Sequence, residues 1–190
     1  MKHESVRIRF FVLFLVVSLA FAGCHNHTPA PSETIELPQE VQEVADAITL
    51  AHQRLQEGTL RLKIYHVRDG VLFRSGPTID TLISSPLAAE VIAIENSELQ
   101  NRDALFEQLH IESLQPVEND VSQVVWLCYV FETPEDDAIL TVGFNAEPAL
   151  VYTVIINELK VQYNKIFYEL VRPFLTKDLL NEWDMRLDYN

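Results

Sequence analysis

Most of the residues that build recognisable chemical sites are scarce in this 190-residue chain, which has two cysteines and five glycines. Two cysteines cannot supply the disulfide framework of a small secreted scaffold or a paired-cysteine zinc site. So few glycines leave no glycine-rich loop to cradle a phosphate on backbone N–H groups. No nucleophile elbow and no His-Glu-x-x-His helix occurs either. Positive charge is also short, with 14 Lys and Arg against 28 Asp and Glu. Nucleic-acid binding needs phosphates to be neutralised by Lys and Arg, so a nucleic-acid partner is not expected. No apolar run reaches the about 20 residues that a membrane-crossing helix needs.

What is present begins at the N-terminus. An apolar run from Phe10 to Ala22 follows Lys2, Arg7 and Arg9, with only Glu4 opposing them. A basic start, a short apolar middle and small residues at its end make a secretory signal peptide. The end of that run, Phe21-Ala22-Gly23-Cys24, resembles the lipobox of bacterial lipoproteins, with Phe21 where the family usually has Leu. The resemblance implies that residues 1–23 are removed, that Cys24 receives a diacylglyceryl thioether, and that its new amino group is acylated. In that family Asp after the lipidated Cys tends to retain the protein at the inner membrane. His25 therefore implies the outer membrane where the cell has one. Several acyl chains anchor far more firmly than one.

Three of the 14 basic and one of the 28 acidic residues lie in residues 1–23, so the remainder carries 11 against 27, a net charge of −16. Such a chain is repelled by anionic headgroups, which leaves the lipid as its membrane contact. If Cys24 is lipidated, Cys128 has no intrachain partner.

Residues 24–37 read as a tether rich in Pro, Ser and Thr, reaching roughly 35–40 Å at about 3.1 Å per residue. His25 and His27 lie on it, and two His on a flexible tether bind a metal weakly. Residues 38–190 then suit a single domain. Val41, Val44, Ala45, Ile48 and Leu55 share one helical face, opened by Pro38 and stopped by Gly58. Residues 60–67 alternate as a strand, and Asp69-Gly70 before "VLFRS" predicts a hairpin. Residues 77–95 read equally as helix or strand, and a short helix capped by Asn101 is expected over 102–109. Residues 124–131 are apolar on both faces, predicting a central strand covered on each side. "AILTVGF" and "LVYTVII" follow as further strands. A last helical stripe runs from Tyr163 to Phe174, broken at Pro173, with Thr176 capping a second helix that reaches Trp183.

This order predicts an α+β domain: an antiparallel sheet of about five to six strands flanked by N-terminal and C-terminal helices. In element order it looks like the profilin and roadblock layout, with a cystatin-like or nuclear-transport-factor-like arrangement as the alternative. Element order carries no function.

Few residues offer chemistry. Cys128 lies in the most apolar strand, where burial blunts a thiol. His66 sits on the inward face of its strand. Glu132, Glu135, Asp136 and Asp137 cluster without a calcium-loop spacing, so no metal and no cofactor are expected. The predicted hairpin sets Tyr65 opposite Arg74 and Ile64 opposite Ser75, with Leu60, Leu62, Ile64, His66 and Phe73 facing the core. The other face then carries Arg61, Lys63, Tyr65 and Arg74, a cationic strip in an acidic protein. Such a strip is a candidate dock for an acidic segment or small anion, unless surface ion pairs simply cover it. The expected function is a lipid-anchored, non-catalytic binding or adaptor domain with a protein partner in the cell envelope. The alternative is an envelope hydrolase whose site is assembled from distant carboxylates and His.

Overall fold

The first helix shows how local chemistry sets the boundaries. α1 (Gln39–Glu57) begins after Pro38 and buries Val41, Val44, Ile48, Ala51 and Leu55. It ends where Gly58 takes φ 80°, with the Thr59 N–H donating to the Arg54 carbonyl at 2.9 Å. A left-handed residue closes the last turn this way, and glycine takes that conformation without strain.

In the computed structural model, residues 38–85, 87, 89–117, 124–145 and 153–188 are described. The expected signal peptide, Cys24 and tether lie outside these residues. After α1 come β1 (Arg61–Val67), α2 (Ile79–Ser84) and β2 (Ala89–Ile94). Two single-turn helices follow, α3 (Asn96–Leu99) and α4 (Asp103–Phe106), joined by a 3₁₀ turn. Then come β3 (Val125–Glu132), β4 (Ala138–Asn145), β5 (Thr153–Ile156) and β6 (Leu159–Gln162). The chain closes with α5 (Lys165–Glu169), a 3₁₀ turn at Arg172–Phe174 and α6 (Lys177–Asp188). The domain is α+β. Its six strands form one sheet in the order β2-β1-β3-β4-β5-β6, every neighbouring pair antiparallel.

Three expectations are corrected. The hairpin does not form: Asp69-Gly70 turns, but residues 71–75 pair with nothing in the sheet, and Leu72 is 95% exposed. Both sides of β1 are taken instead by β2 and β3, each paired with it over six residues. Residues 77–95 are neither one helix nor one strand. Thr78 caps α2 through its hydroxyl, which accepts from the Thr81 N–H at 3.2 Å, and the apolar residues after Ser85 become β2. The short helix expected over 102–109 is present but shorter, as α4, and Arg102 rather than Asn101 precedes it; a further single turn, α3, forms ahead of it behind Glu95.

The main core lies on one face of the sheet, beneath α1 and the C-terminal helices. Aromatic rings run through it from Phe106 to Phe131, Tyr129, Phe144 and Trp183, with centroids 5.2–6.0 Å apart. The buried Tyr129 hydroxyl donates to the Phe167 carbonyl at 3.0 Å, which satisfies its only strongly polar group. Around Pro173 the chain is locked by Asp184, which accepts two bonds from Arg172 (3.0 and 2.7 Å) and one from Tyr168 (2.9 Å). Thr176 caps α6, as its position in the sequence predicts.

The opposite face carries a smaller cluster of Tyr65, Leu82, Ala89, Val125, Cys128, Val130 and Ile155. α2 lies over it, and Ile79 presses on Gly143: a Cβ built there would sit 2.7 Å from Ile79 Cδ1 and 3.2 Å from Val125 Cγ1. Gly143→Ala is therefore expected to destabilise the domain by about 1–3 kcal/mol through overpacking. Adding Ile79→Ala should return part of that loss. Thermal denaturation of the two variants checks this, and a neutral Gly143→Ala would contradict the close docking of α2.

Candidate functional site

Alternation along β1 sends Arg61, Lys63 and Tyr65 to the smaller, α2-covered face. Arg61 Nε lies 3.3 Å from Glu95 Oε2 and its Nη1 donates to the Pro134 carbonyl at 3.0 Å. The Lys63 ammonium lies 2.7 Å from Glu132 Oε1 and 3.0 Å from Asp136 Oδ1. Tyr65 is buried among Leu82 and Cys128, and that burial raises its phenol above the ordinary value. Arg74 is exposed and sits beyond the Asp69-Gly70 turn. It does not face Tyr65, whose cross-strand neighbours are Val91 and Cys128. The four residues therefore do not line up across a hairpin.

Lys63 has a definite structural task. The Glu132 side chain is 5% exposed, and its Oε1 takes no aligned hydrogen bond, so the adjacent ammonium is what offsets its charge. The Glu132 carboxylate in turn holds the Lys63 ammonium above its ordinary pKa, with Asp136 adding to the effect. Lys63 holds Asp136 below the usual carboxylate value. The turn that presents Asp136 is built by Thr133, whose hydroxyl accepts from the Glu135 and Asp137 N–H groups at 3.3 Å each. Asp136 itself takes φ 66°, a region Asp tolerates better than most residues. The acidic cluster is thus a strand connection pinned by a lysine. Among the described residues, no group of three or more His, Cys, Asp or Glu side chains could hold a metal ion.

The remaining candidates are occupied too. Cys128 is fully buried and its thiol is pushed up to about 12 by that burial. His66 meets the Val67 carbonyl at 3.2 Å and Glu90 at 3.4 Å. A His–carboxylate pair that the sequence does not reveal joins α1 to α4: His52 Nε2 lies 2.7 Å from Asp103 Oδ1 and stacks on Phe106. Gln56 is a further hydrogen-bonding neighbour, and among the described residues no hydroxyl or thiol takes part. A hollow of about 580 Å³ lies between α2 and the β5–β6 turn, with Asp80 and Glu158 among its lining residues. Its Asn157 amide is committed to β4, accepting from the Thr141 N–H at 2.8 Å and donating to the Ile139 carbonyl at 3.3 Å. No helix among the described residues is long and apolar enough to cross a membrane.

Comparison of the chain with protein-family models, with curated proteins and with solved structures finds no match in any of the three. The element-order likenesses to profilin, roadblock, cystatin and nuclear-transport-factor folds therefore have no solved relative behind them. The partners of the strip, Glu95, Glu132, Pro134 and Asp136, are not evident from sequence. The one available signal is Glu132 itself, an acid that directly continues the most apolar strand.

Lys63→Met should lower stability by about 1–3 kcal/mol at neutral pH, because it leaves Glu132 buried without its counter-charge. Adding Glu132→Gln should restore most of it. The Lys63 pKa is raised on folding, so its contribution is complete below the unfolded value of 10.5 and fades as pH climbs through the raised one. Melting curves of both variants from neutral to alkaline pH check this. A Lys63→Met chain as stable as the wild type would return the strip to the surface-docking reading.

Proposed function

We propose that the chain is a lipid-anchored protein of the cell envelope whose α+β domain is a non-catalytic binding or adaptor module. The anchor rests on the basic start, the short apolar run and Phe21-Ala22-Gly23-Cys24. The binding reading is carried by one observation: the sheet ends on one side in β2, whose outward backbone groups at Val91 and Ala93 meet no partner among the described residues. The hydrolase alternative draws no comparable support, since the His52–Asp103 pair serves as a helix-to-helix contact. The outer membrane is the expected location where the cell has one.

Fatty-acid labelling of the expressed chain tests the anchor, and extraction from its own membrane in mild detergent tests the binding role. The wild type is expected to carry the label and to leave the membrane with a stoichiometric protein partner. Cys24→Ser should carry none and remain an unprocessed precursor. Equal label in Cys24→Ser would overturn the anchor, and a wild type extracted as a lone monomer would count against the adaptor.

A further inference from the structure

The two edges of the sheet are treated differently. At β6 the Gln162 N–H donates to the Gln115 carbonyl at 2.8 Å and the Val117 N–H to the Lys160 carbonyl at 3.0 Å. Residues 115–117 thus cover that edge. Among the described residues β2, at the other end, pairs with β1 alone.

Alternate residues of an antiparallel strand turn both backbone groups to the same side. The Ala89 N–H donates to the Ser85 carbonyl at 3.3 Å, and its own carbonyl accepts from the Arg68 guanidinium at 3.5 Å. Both bonds lead away from β1, so Ala89, Val91 and Ala93 face outward while Glu90, Ile92 and Ile94 face β1. The other strand agrees: the Leu60 N–H donates to Asn96 Oδ1 at 3.2 Å, just past β2, which turns Leu60, Leu62 and Ile64 toward β2. Among the described residues, nothing pairs with the outward backbone groups of Val91 and Ala93.

Exposed edges in soluble proteins are usually blunted by Lys, Pro, a bulge or a covering segment. β2 reads Ala-Glu-Val-Ile-Ala-Ile and pairs with β1 in unbroken register. Its surroundings are apolar and open: Val91 is 50% exposed, and Ile83 and Leu87, on the approach to it, are 40% and 80% exposed. Charge narrows the occupant. From residue 75 to residue 101 the chain holds Asp80, Glu90, Glu95 and Glu98 and no Lys, Arg or His, within a protein of net charge −14. Among the described residues, the basic groups that reach this stretch are Arg61 on Glu95, His66 beside Glu90 and Arg68 on the Ala89 carbonyl, all toward its two ends or β1 rather than at Val91 and Ala93.

We propose that β2 takes up, as a seventh strand, an extended segment of another protein. The core of that segment alternates small apolar residues, and its ends carry Lys or Arg. This rests on the binding-module reading and names the partner's chemistry. Main-chain hydrogen bonds to Val91 and Ala93 supply affinity, and the acidic surroundings select basic flanks. A second copy of this chain fits worse, because pairing β2 with itself sets two such acidic stretches side by side.

The test uses the full-length chain in detergent and a fluorescent peptide that alternates valine and threonine between terminal lysine pairs. One control replaces the lysines with glutamates; the other methylates alternate backbone nitrogens. The lysine peptide should bind saturably, and each control should bind about tenfold or more weakly. Val91→Pro removes an outward N–H that β1 does not use, a substitution edge strands accept. It should weaken binding by about tenfold while the melting temperature moves by less than about 4 °C. Ala93→Lys sets a like charge against the peptide, imposes no backbone restriction, and should do the same; it decides the matter should Val91→Pro fail to fold. Unchanged affinity in a folded variant, or equal binding of the methylated peptide, overturns the proposal. So does a wild-type dimer in sedimentation that Val91→Pro splits, since the occupant is then a second copy. Peptide binding does not depend on the lipid, so a chain that binds but carries no fatty acid overturns the anchor alone. A labelled chain that does not bind overturns the edge alone.

Discussion

A strand that is apolar on both faces cannot be left uncovered on either, and β3 is that strand. Leu127, Tyr129 and Phe131 point into the main core, whereas Val125, Cys128 and Val130 point the other way, and all six are buried. The main side is supplied by α1 and the C-terminal helices, long enough together to bury a full layer. Among the described residues the other side is supplied by α2, a helix of 6 residues, and by the Gly76-Pro77 segment before it, whose Pro77 carbonyl accepts from the Val125 N–H at 2.7 Å. So short a cover lies closest over Gly143 and Val125, where Ile79 packs. At the Glu132 end the face closes with charge, where Lys63 joins the β3–β4 turn to β1.

That arrangement explains how an acidic protein spends its few cations. Arg61 and Lys63 are committed to carboxylates at the edge of the smaller core, and Arg172 is clamped on Asp184 between the C-terminal helices. Individually such half-exposed pairs add little, about 0–1 kcal/mol. Glu132 is the exception, because a buried carboxylate without its ammonium is costly. The remaining surface keeps a large negative charge, which opposes self-association and favours basic partners.

Much of the fold is legible in the sequence wherever a stop signal and a periodicity agree. Pro38 and Gly58 bracket α1, and β3 announces its central place by being apolar throughout. The strand count comes out right, but its membership does not. "VLFRS" has the turn signal of a hairpin, yet both edges of β1 go to β2 and β3, a tertiary pairing that no local pattern records. β6 escapes notice because only Val161 of its 4 residues is buried. The strip Arg61, Lys63, Tyr65 and Arg74 is half legible: alternation does place the first three on one face of β1. Their partners come from residues about thirty to seventy positions away, and this long-range pairing turns an apparent cationic surface into a structural ion-pair cluster.

The open flank of β2 follows from the same economy. Residues 115–117 cover the β6 edge, whereas on β2 Ser85 and Arg68 meet only the Ala89 end and, among the described residues, nothing pairs with Val91 and Ala93. Amide-resolved hydrogen exchange on the full chain tests this difference between the two edges most directly. The account predicts fast exchange at Val91 and Ala93, slow exchange at Ile92 and Ile94 on the same strand, and slow exchange at Gln162 on the covered edge. Protection at Val91 and Ala93 equal to that of Ile92 in the unbound protein would contradict it.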